Sequence, residues 1–255
     1  MSTVEVFEPY QRVMVVSPHP DDAELGVGGT VGLMTKMGKE VFYVIATSGN
    51  RGGRDTDMTA DYLERARQEE QRAAAAVLGV REVVFLGFGD GDLQDDHTCR
   101  RALVREIRRL KPDIIFTTDP FRSTFYIHRD HRMTGLLTID AAFPYARDRL
   151  HYPEHLTEGL SVHNVEEVYF WGTERPDTFI NVGETVELRA RAMLAHTSQM
   201  IDRIKEVGGE DNFIKDMTRW ARRASRTYNL SFPYAEAFRR FGIRNAWRGS
   251  EDLED

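Results

Sequence analysis

Four short apolar runs mark the first half of the chain: Val13-Met14-Val15-Val16, Val41-Phe42-Tyr43-Val44-Ile45-Ala46, Val83-Val84-Phe85-Leu86 and Ile114-Ile115-Phe116. Each is rich in β-branched or aromatic residues, short for a helix, and closed by proline or polar residues. That predicts buried strands over about 12–17, 41–46, 83–86 and 113–118. The stretches between them change character. Residues 25–37 mix apolar and small side chains as a helix does, and Gly26, Gly28 and Gly29 at its start allow close backbone packing. Residues 60–78 place alanines on the inner stripe of a long helix that Gly79 stops. A third helix, over 100–110, carries its cations toward the C-terminal end. This alternation predicts an α/β fold: a Rossmann-like, mostly parallel sheet with right-handed crossovers and helices on both faces.

The second half is less regular. A helix is expected over 132–143, with His131 at its first turn. Residues 144–164 read as a loop or lid with His151, His155 and His163 at the surface. Strands follow at 168–171 and 178–182, then one helix over 183–207. The region 208–247 adds another amphipathic helix and the segment Tyr234–Phe238. No internal repeat, low-complexity tract or second-domain boundary interrupts the chain. The expectation is therefore one domain over 1–255: a lead-in (1–11), a Rossmann-like core (12–143) and C-terminal additions with a lid (144–255).

The chemistry gathers where strands end. The first runs into Ser17-Pro18-His19-Pro20-Asp21-Asp22. Proline donates nothing to a sheet ladder and holds its predecessor extended, so His19, Asp21 and Asp22 fall on the turn, where α/β sheets form ligand sites. His19 and Asp22, three apart, can bring an imidazole and a carboxylate to one ion. Zinc accepts that pairing and in catalytic sites takes three protein ligands. Asp21 must then point elsewhere and could hold a metal-bound water. The same residues would also suit an acidic helix N-cap beside a surface histidine. The second cluster, Tyr126-Ile127-His128-Arg129-Asp130-His131, follows the strand over 113–118. Either histidine could supply a third ligand while the other polarises a substrate. The bland alternative is a polar loop.

Composition narrows the field. A net charge of −7, from 34 basic and 41 acidic residues, argues against nucleic acid as the main partner, and no basic run offsets it. No apolar stretch reaches 18 residues and no leader pattern opens the chain, so a cytoplasmic protein without membrane partners is expected. The single Cys99 excludes an intrachain disulfide and reads as a buried structural thiol at a helix start. Gly87-x-Gly89-x-Gly91 is not a dinucleotide fingerprint, and Ser17 and Ser48 lack a nucleophile elbow. Residues 51–59, rich in Gly, Arg and Asp, suit a mobile active-site loop.

Taken in order, these motifs resemble the PIG-L/LmbE-like zinc-dependent N-deacetylases. The likeness rests on His19-Pro20-Asp21-Asp22 with Glu24-Leu25-Gly26-Val27-Gly28-Gly29-Thr30, on His128-Arg129-Asp130-His131, and on Arg67-x-x-Glu70 with Ala73-Ala74. Leu78-Gly79-Val80, Leu86-Gly87-Phe88-Gly89-Asp90 and Ala192–Gln199 extend it over roughly residues 12 to 240. The resemblance implies one zinc ion per chain, or another divalent transition metal, on His19, Asp22 and His131. It implies hydrolysis of an N-acyl amide on an amino sugar such as an N-acetylglucosamine unit. Asp21 would be the general base and later the acid, and a protonated His128 held by Asp130 would face the oxyanion, with Tyr126 adding a hydrogen bond. Arg67 and Asp90 stand where sugar-hydroxyl contacts fall. Asn50, also expected at the substrate, stands where many members have Glu, and Arg189 where Lys is common. Members are often oligomeric, so a homo-oligomer is possible. Two rival readings are an amidase of a sugar–thiol conjugate and a non-catalytic sugar-binding relative.

Overall fold

The computed structural model describes residues 5–53 and 57–243. Parts of the expected lead-in, the 51–59 loop and the 208–247 region lie outside the described residues. Seven strands form one sheet in the order β3-β2-β1-β4-β5-β7-β6. Strands β1 (Arg12–Ser17), β2 (Glu40–Thr47), β3 (Glu82–Phe88), β4 (Ile114–Thr118) and β5 (Glu167–Trp171) run parallel. The sheet is therefore α/β and mostly parallel, as the alternation of apolar runs and helices requires. Among the described residues no helix is long and apolar enough to cross a membrane.

Strand β1 is an interior strand, between β2 and β4, and is buried on both faces. Val13 and Val15 join one core, Met14 and Val16 the other, the period of two that a pleated strand imposes. Each buried aliphatic side chain contributes about 1.5–3 kcal/mol, so the register of β1 is strongly set. Helices α1 (Asp22–Lys36) and α2 (Ala60–Leu78) serve the first core, and α3 (His97–Leu110) and α4 (Arg129–Asp140) the second. A Cβ on Gly26 would come within 2.5 Å of Trp171, which explains the small residues early in α1. Cys99 is buried at the start of α3, as expected.

Several boundaries differ from the expectation, each for a local reason. Helix α1 begins at Asp22 rather than 25, because Asp21 turns the chain at φ 99° and the helix starts at once. Helix α4 begins at Arg129, because the His128 side chain caps it. The single helix expected over 183–207 is two, α6 (Val186–Leu194) and α7 (Thr197–Glu206). His196 leaves the helical region between them, and Glu70 accepts hydrogen bonds from Ser198 N and Thr197 Oγ1, both at 2.7 Å, to start α7 anew. After α8 (Glu210–Thr227), the 234–238 segment belongs to a strand, β7 (Ala235–Gly242). It lies antiparallel between β5 and β6 (Thr178–Asn181).

His155 was expected at the surface and is instead fully buried, on the short helix α5 (Glu154–Thr157). Its ring stacks on Tyr152 beside Arg108 of α3. The Arg108 guanidinium donates to five backbone carbonyls, those of Tyr145, Ala146, Asp148, His151 and Tyr152, at 2.9–3.2 Å. The 144–152 segment folds around one cation.

Candidate metal-binding active site

The sheet order makes the site. From β1 the chain winds outward through β2 to β3, then returns to β4 on the other side of β1. The crevice beyond the C-terminal ends of β1 and β4 is the topological switch point, where backbones diverge and a ligand can enter. The turn after β1 brings His19, Asp21 and Asp22 there. The loop after β4 and the first turn of α4 bring Tyr126, His128, Asp130 and His131. Gly135 seats α4: a Cβ there would lie 2.6 Å from the Thr118 carbonyl oxygen at the end of β4.

Among the described residues two groups bring possible metal-donor atoms within 4.8 Å of one another. The first is His19, Asp22 and His131. Asp22 Oδ2 lies 2.8 Å from His19 Nδ1 and 3.1 Å from His131 Nε2. That last contact is off the line a hydrogen bond needs, so the buried Nε2 has no hydrogen-bond partner. His131 Nδ1 lies 3.4 Å from the Thr118 hydroxyl, to which its N–H can donate when Nε2 is the free nitrogen, and 3.2 Å from the Arg122 guanidinium. The second group is His19, Asp90, His128 and Asp130. His19 Nε2 lies 3.1 Å from Asp130 Oδ2 and 3.3 Å from Asp90 Oδ1.

One imidazole is shared, and its two nitrogens face different partners. A ligating histidine ordinarily donates its other N–H to a carboxylate, which fixes ring and tautomer. Nδ1 faces the His-Asp-His set while Nε2 faces Asp130 and Asp90. Both nitrogens face carboxylates, so that rule alone does not choose between the sets. The first fits a cation because His131 Nε2 has no hydrogen bond, whereas in the second His128 Nδ1 already accepts the Asp130 N–H. Two nitrogens and one carboxylate oxygen suit a zinc-like ion, and the stranded His131 Nε2 marks where a ligand bond would go.

The carboxylates around His19 draw positive charge into the pocket. Burial pulls the His19 pKa down, but hydrogen bonds to Asp130, Asp22 and Asp90 outweigh it and push it up to about 12. Burial raises the Asp22 carboxyl, and His131 with His19 overrides that and holds it far below the usual carboxylate range. Contact with His19 lowers Asp90 to about 2 against its burial. Asp130, raised by burial, is lowered more by His19 and by the Gly91 N–H at 2.7 Å.

Asp21 stands apart from its neighbour. Burial raises its carboxyl to about 6, with Arg67 pulling down and Asp22 pushing up. Its φ of 99° is a conformation that non-glycine residues rarely adopt, at a cost of about 1–3 kcal/mol. Arg67 of α2 spans the crevice floor, donating to the Pro20 carbonyl, to Gly49 O at 2.8 Å and to Asp21 Oδ2 at 3.1 Å. Asp90 Oδ2 accepts the Arg51 N–H at 3.1 Å. Arg67 and Asp90, assigned from sequence to sugar hydroxyls, thus spend these polar contacts on Asp21, His19 and the loops that carry them.

His128 departs from expectation in its partner. Its Nδ1 accepts the Asp130 backbone N–H at 3.2 Å, so the ring proton sits on Nε2. Burial and the neighbouring His19 lower its pKa, and the Asp130 carboxylate is turned to His19 instead. The expected partner of His128, the Asp130 carboxylate, faces His19, and the hydrogen bond to His128 comes from the Asp130 backbone N–H. The His128 ring meets His19 edge-on at 4.9 Å, and Tyr126, 60% exposed, lies parallel to His128 at 6.1 Å. Asn50 donates to Glu64 at 3.4 Å while its buried Oδ1 has no partner. Thr118, Arg122 and Gln71 were missed from sequence. Gln71 had a signal: it stands four residues after Arg67 on the buried stripe of α2, where an apolar residue belongs.

Comparison with known proteins agrees with this geometry. The profile of the PIG-L family, GlcNAc-PI de-N-acetylase, matches residues 14–142. Diacetylchitobiose deacetylase of Thermococcus kodakarensis is 32% identical over 203 residues, 80% of this chain and 75% of that one. A mycothiol S-conjugate amidase of Streptomyces coelicolor is 32% identical over 66% of this chain and 63% of its own. The solved N,N'-diacetylchitobiose deacetylase of Pyrococcus horikoshii, in complex with its inhibitor MPG, superposes with a TM-score of 0.83. It is 28% identical, with 92% of this chain and 85% of that chain covered. The sheet, its switch-point crevice and the matched sequence all lead to one assignment: the chain belongs to the PIG-L family of de-N-acetylases.

Proposed function

We propose that the protein is a zinc-dependent hydrolase that removes an N-acetyl group from an amino sugar such as an N-acetylglucosamine unit. One observation carries the reading. Asp21, raised to about 6 and held in a strained turn, adjoins a buried His-Asp-His donor set with an unpartnered nitrogen. Metal binding alone has no need of such a carboxylate, whereas a general base working near neutral pH does.

His19, Asp22 and His131 would hold the zinc. Bound there, it supplies the Lewis acidity that activates a water and polarises the acetamide carbonyl. Asp21 takes the proton of the attacking water on its carboxylate and delivers it to the departing amine nitrogen. Arg67 fixes that carboxylate, and Asp90 with Asp130 fixes His19. The Nε2–H of neutral His128 faces the oxygen that gains charge, needing no prior protonation at neutral pH. The exposed Tyr126 offers the sugar a ring face. A continuous sheet through both halves supports one domain over the whole chain.

A second reading has specific support. The similarity to a mycothiol S-conjugate amidase fits the same chemistry at another acyl group. Product analysis separates the two. Zinc-loaded protein given an N-acetylglucosaminide should release acetate and free amine in equal amounts, and chelation should abolish both. Cleavage of a larger acyl conjugate with no acetate from the acetyl sugar would favour the amidase.

A further inference from the structure

Behind Asp21 runs a line of buried hydrogen bonds that this chemistry leaves unused. The Asp21 backbone N–H donates to Gln71 Oε1 at 3.0 Å. The other end of that amide, Nε2, donates to Glu24 Oε1 at 2.9 Å. Glu24 Oε2 in turn faces His196 Nε2 at 3.1 Å. Gln71, Glu24 and His196 are all 0% exposed, so none of these groups can turn to solvent instead.

The order of donors can run only one way. A carboxylate accepts and never donates, so Glu24 draws the amide NH2 of Gln71 toward itself and turns the amide oxygen to Asp21. The inverted amide would set acceptor against acceptor at Glu24 and donor against donor at Asp21. His196 occupies Glu24's second oxygen from the break between α6 and α7, where its own backbone leaves the helix. Helix α2 grips Asp21 twice: Arg67 holds the carboxylate, and Gln71, about one turn later, holds the backbone N–H.

We propose that Gln71, oriented by Glu24 and His196, is a positioning residue that holds the strained Asp21 backbone so that its carboxylate meets the reacting water. The proposal rests on the reading of Asp21 as the proton acceptor. A residue at positive φ tends to relax once released, and small misplacement of a catalytic group is costly.

The test is a double-mutant cycle on the zinc-loaded enzyme. Gln71→Met keeps the volume and removes both polar ends. It should lower kcat roughly 10- to 100-fold with KM and bound zinc unchanged. In an Asp21→Asn background the same substitution should change kcat by less than about twofold, because no base remains to position. An undiminished loss in that background, or wild-type kcat in Gln71→Met alone, would overturn the proposal. Wild-type kcat in Asp21→Asn alone would instead sink the reading of Asp21, a separate outcome. Should Gln71→Met fail to fold, a charge swap decides. Gln71→Glu alone sets two carboxylates face to face and should be slow, whereas adding Glu24→Gln restores one donor and one acceptor and should recover kcat. A folded double variant as slow as Gln71→Glu would also refute the proposal.

Discussion

Arg108 and His131 are both buried, nitrogen-rich side chains, 0% and 3% exposed, yet their surroundings are opposites. Arg108 spends its guanidinium on five backbone carbonyls, and its charge is satisfied without a carboxylate. His131 Nε2 touches Asp22 Oδ2 at 3.1 Å without a well-aligned hydrogen bond, beside residues whose carboxylates hold a proton on His19. Asp130 Oδ1, nearby, is also unpartnered, and Asp21 is strained. The Arg108 guanidinium is saturated, whereas at the switch point His131 Nε2 and Asp130 Oδ1 are left open and the surrounding structure bears the cost.

The largest effect should come from breaking the saturated centre. Arg108→Met takes the shared donor from five carbonyls. Those of Ala146, Asp148 and Tyr152 keep the backbone N–H groups of His163, His151 and His155, while those of Tyr145 and His151 lose their donor. At about 1–3 kcal/mol for each carbonyl left unpaired, the loss should be about 2–5 kcal/mol. Denaturant unfolding of the metal-free protein measures it. A loss under about 1 kcal/mol would mean that the 144–152 segment finds other partners.

The open centre should respond in rate rather than stability. His128→Ala removes the donor facing the developing oxyanion and should lower kcat about 10²- to 10³-fold while zinc stays bound. Loss of zinc in that variant would place His128 among the ligands and reverse the assignment of the two donor groups.

A smaller effect probes the cost of an open site. Asp21 titrates near 6 in the fold against an ordinary value of 3.8, so the folded protein binds more protons between those pH values. Its ionised form therefore costs stability at pH 7, and this cost shrinks as pH falls through 6 toward 4. Asp21→Asn should make the metal-free protein about 1–3 kcal/mol more stable at pH 7, with the advantage fading in that window. Equal stability at pH 7 and pH 4 would show that Arg67 fully offsets the burial of the charge.

The same contrast explains what was legible in the sequence. The first six strands could be read because each is a contiguous apolar run, and both site clusters because each follows a strand end within a few residues. His19, Asp22 and His131 needed only the strand order to meet. The Arg108 cage was invisible because its partners are backbone carbonyls, which every residue carries. So was the burial of His155 that depends on it. The break at His196 comes from Glu24, 172 residues away, and from the Glu70 cap. The segment 234–238 shows as a strand only when β5 and β6 offer edges to pair with. The hydrogen bond to His128 comes from a single backbone N–H, which no pattern of side chains records.

The most direct test of the account lies in the neighbours Asp21 and Asp22, chemically identical and separated only by geometry. Bound zinc and kcat should be measured together in Asp21→Asn and Asp22→Asn. The account predicts that Asp22→Asn loses the metal and the activity. Asp21→Asn should retain one zinc per chain and lose roughly 10²- to 10⁴-fold in kcat, the share of a missing general base. Zinc-loaded Asp21→Asn turning over at the wild-type rate, or Asp22→Asn holding its zinc, would contradict it.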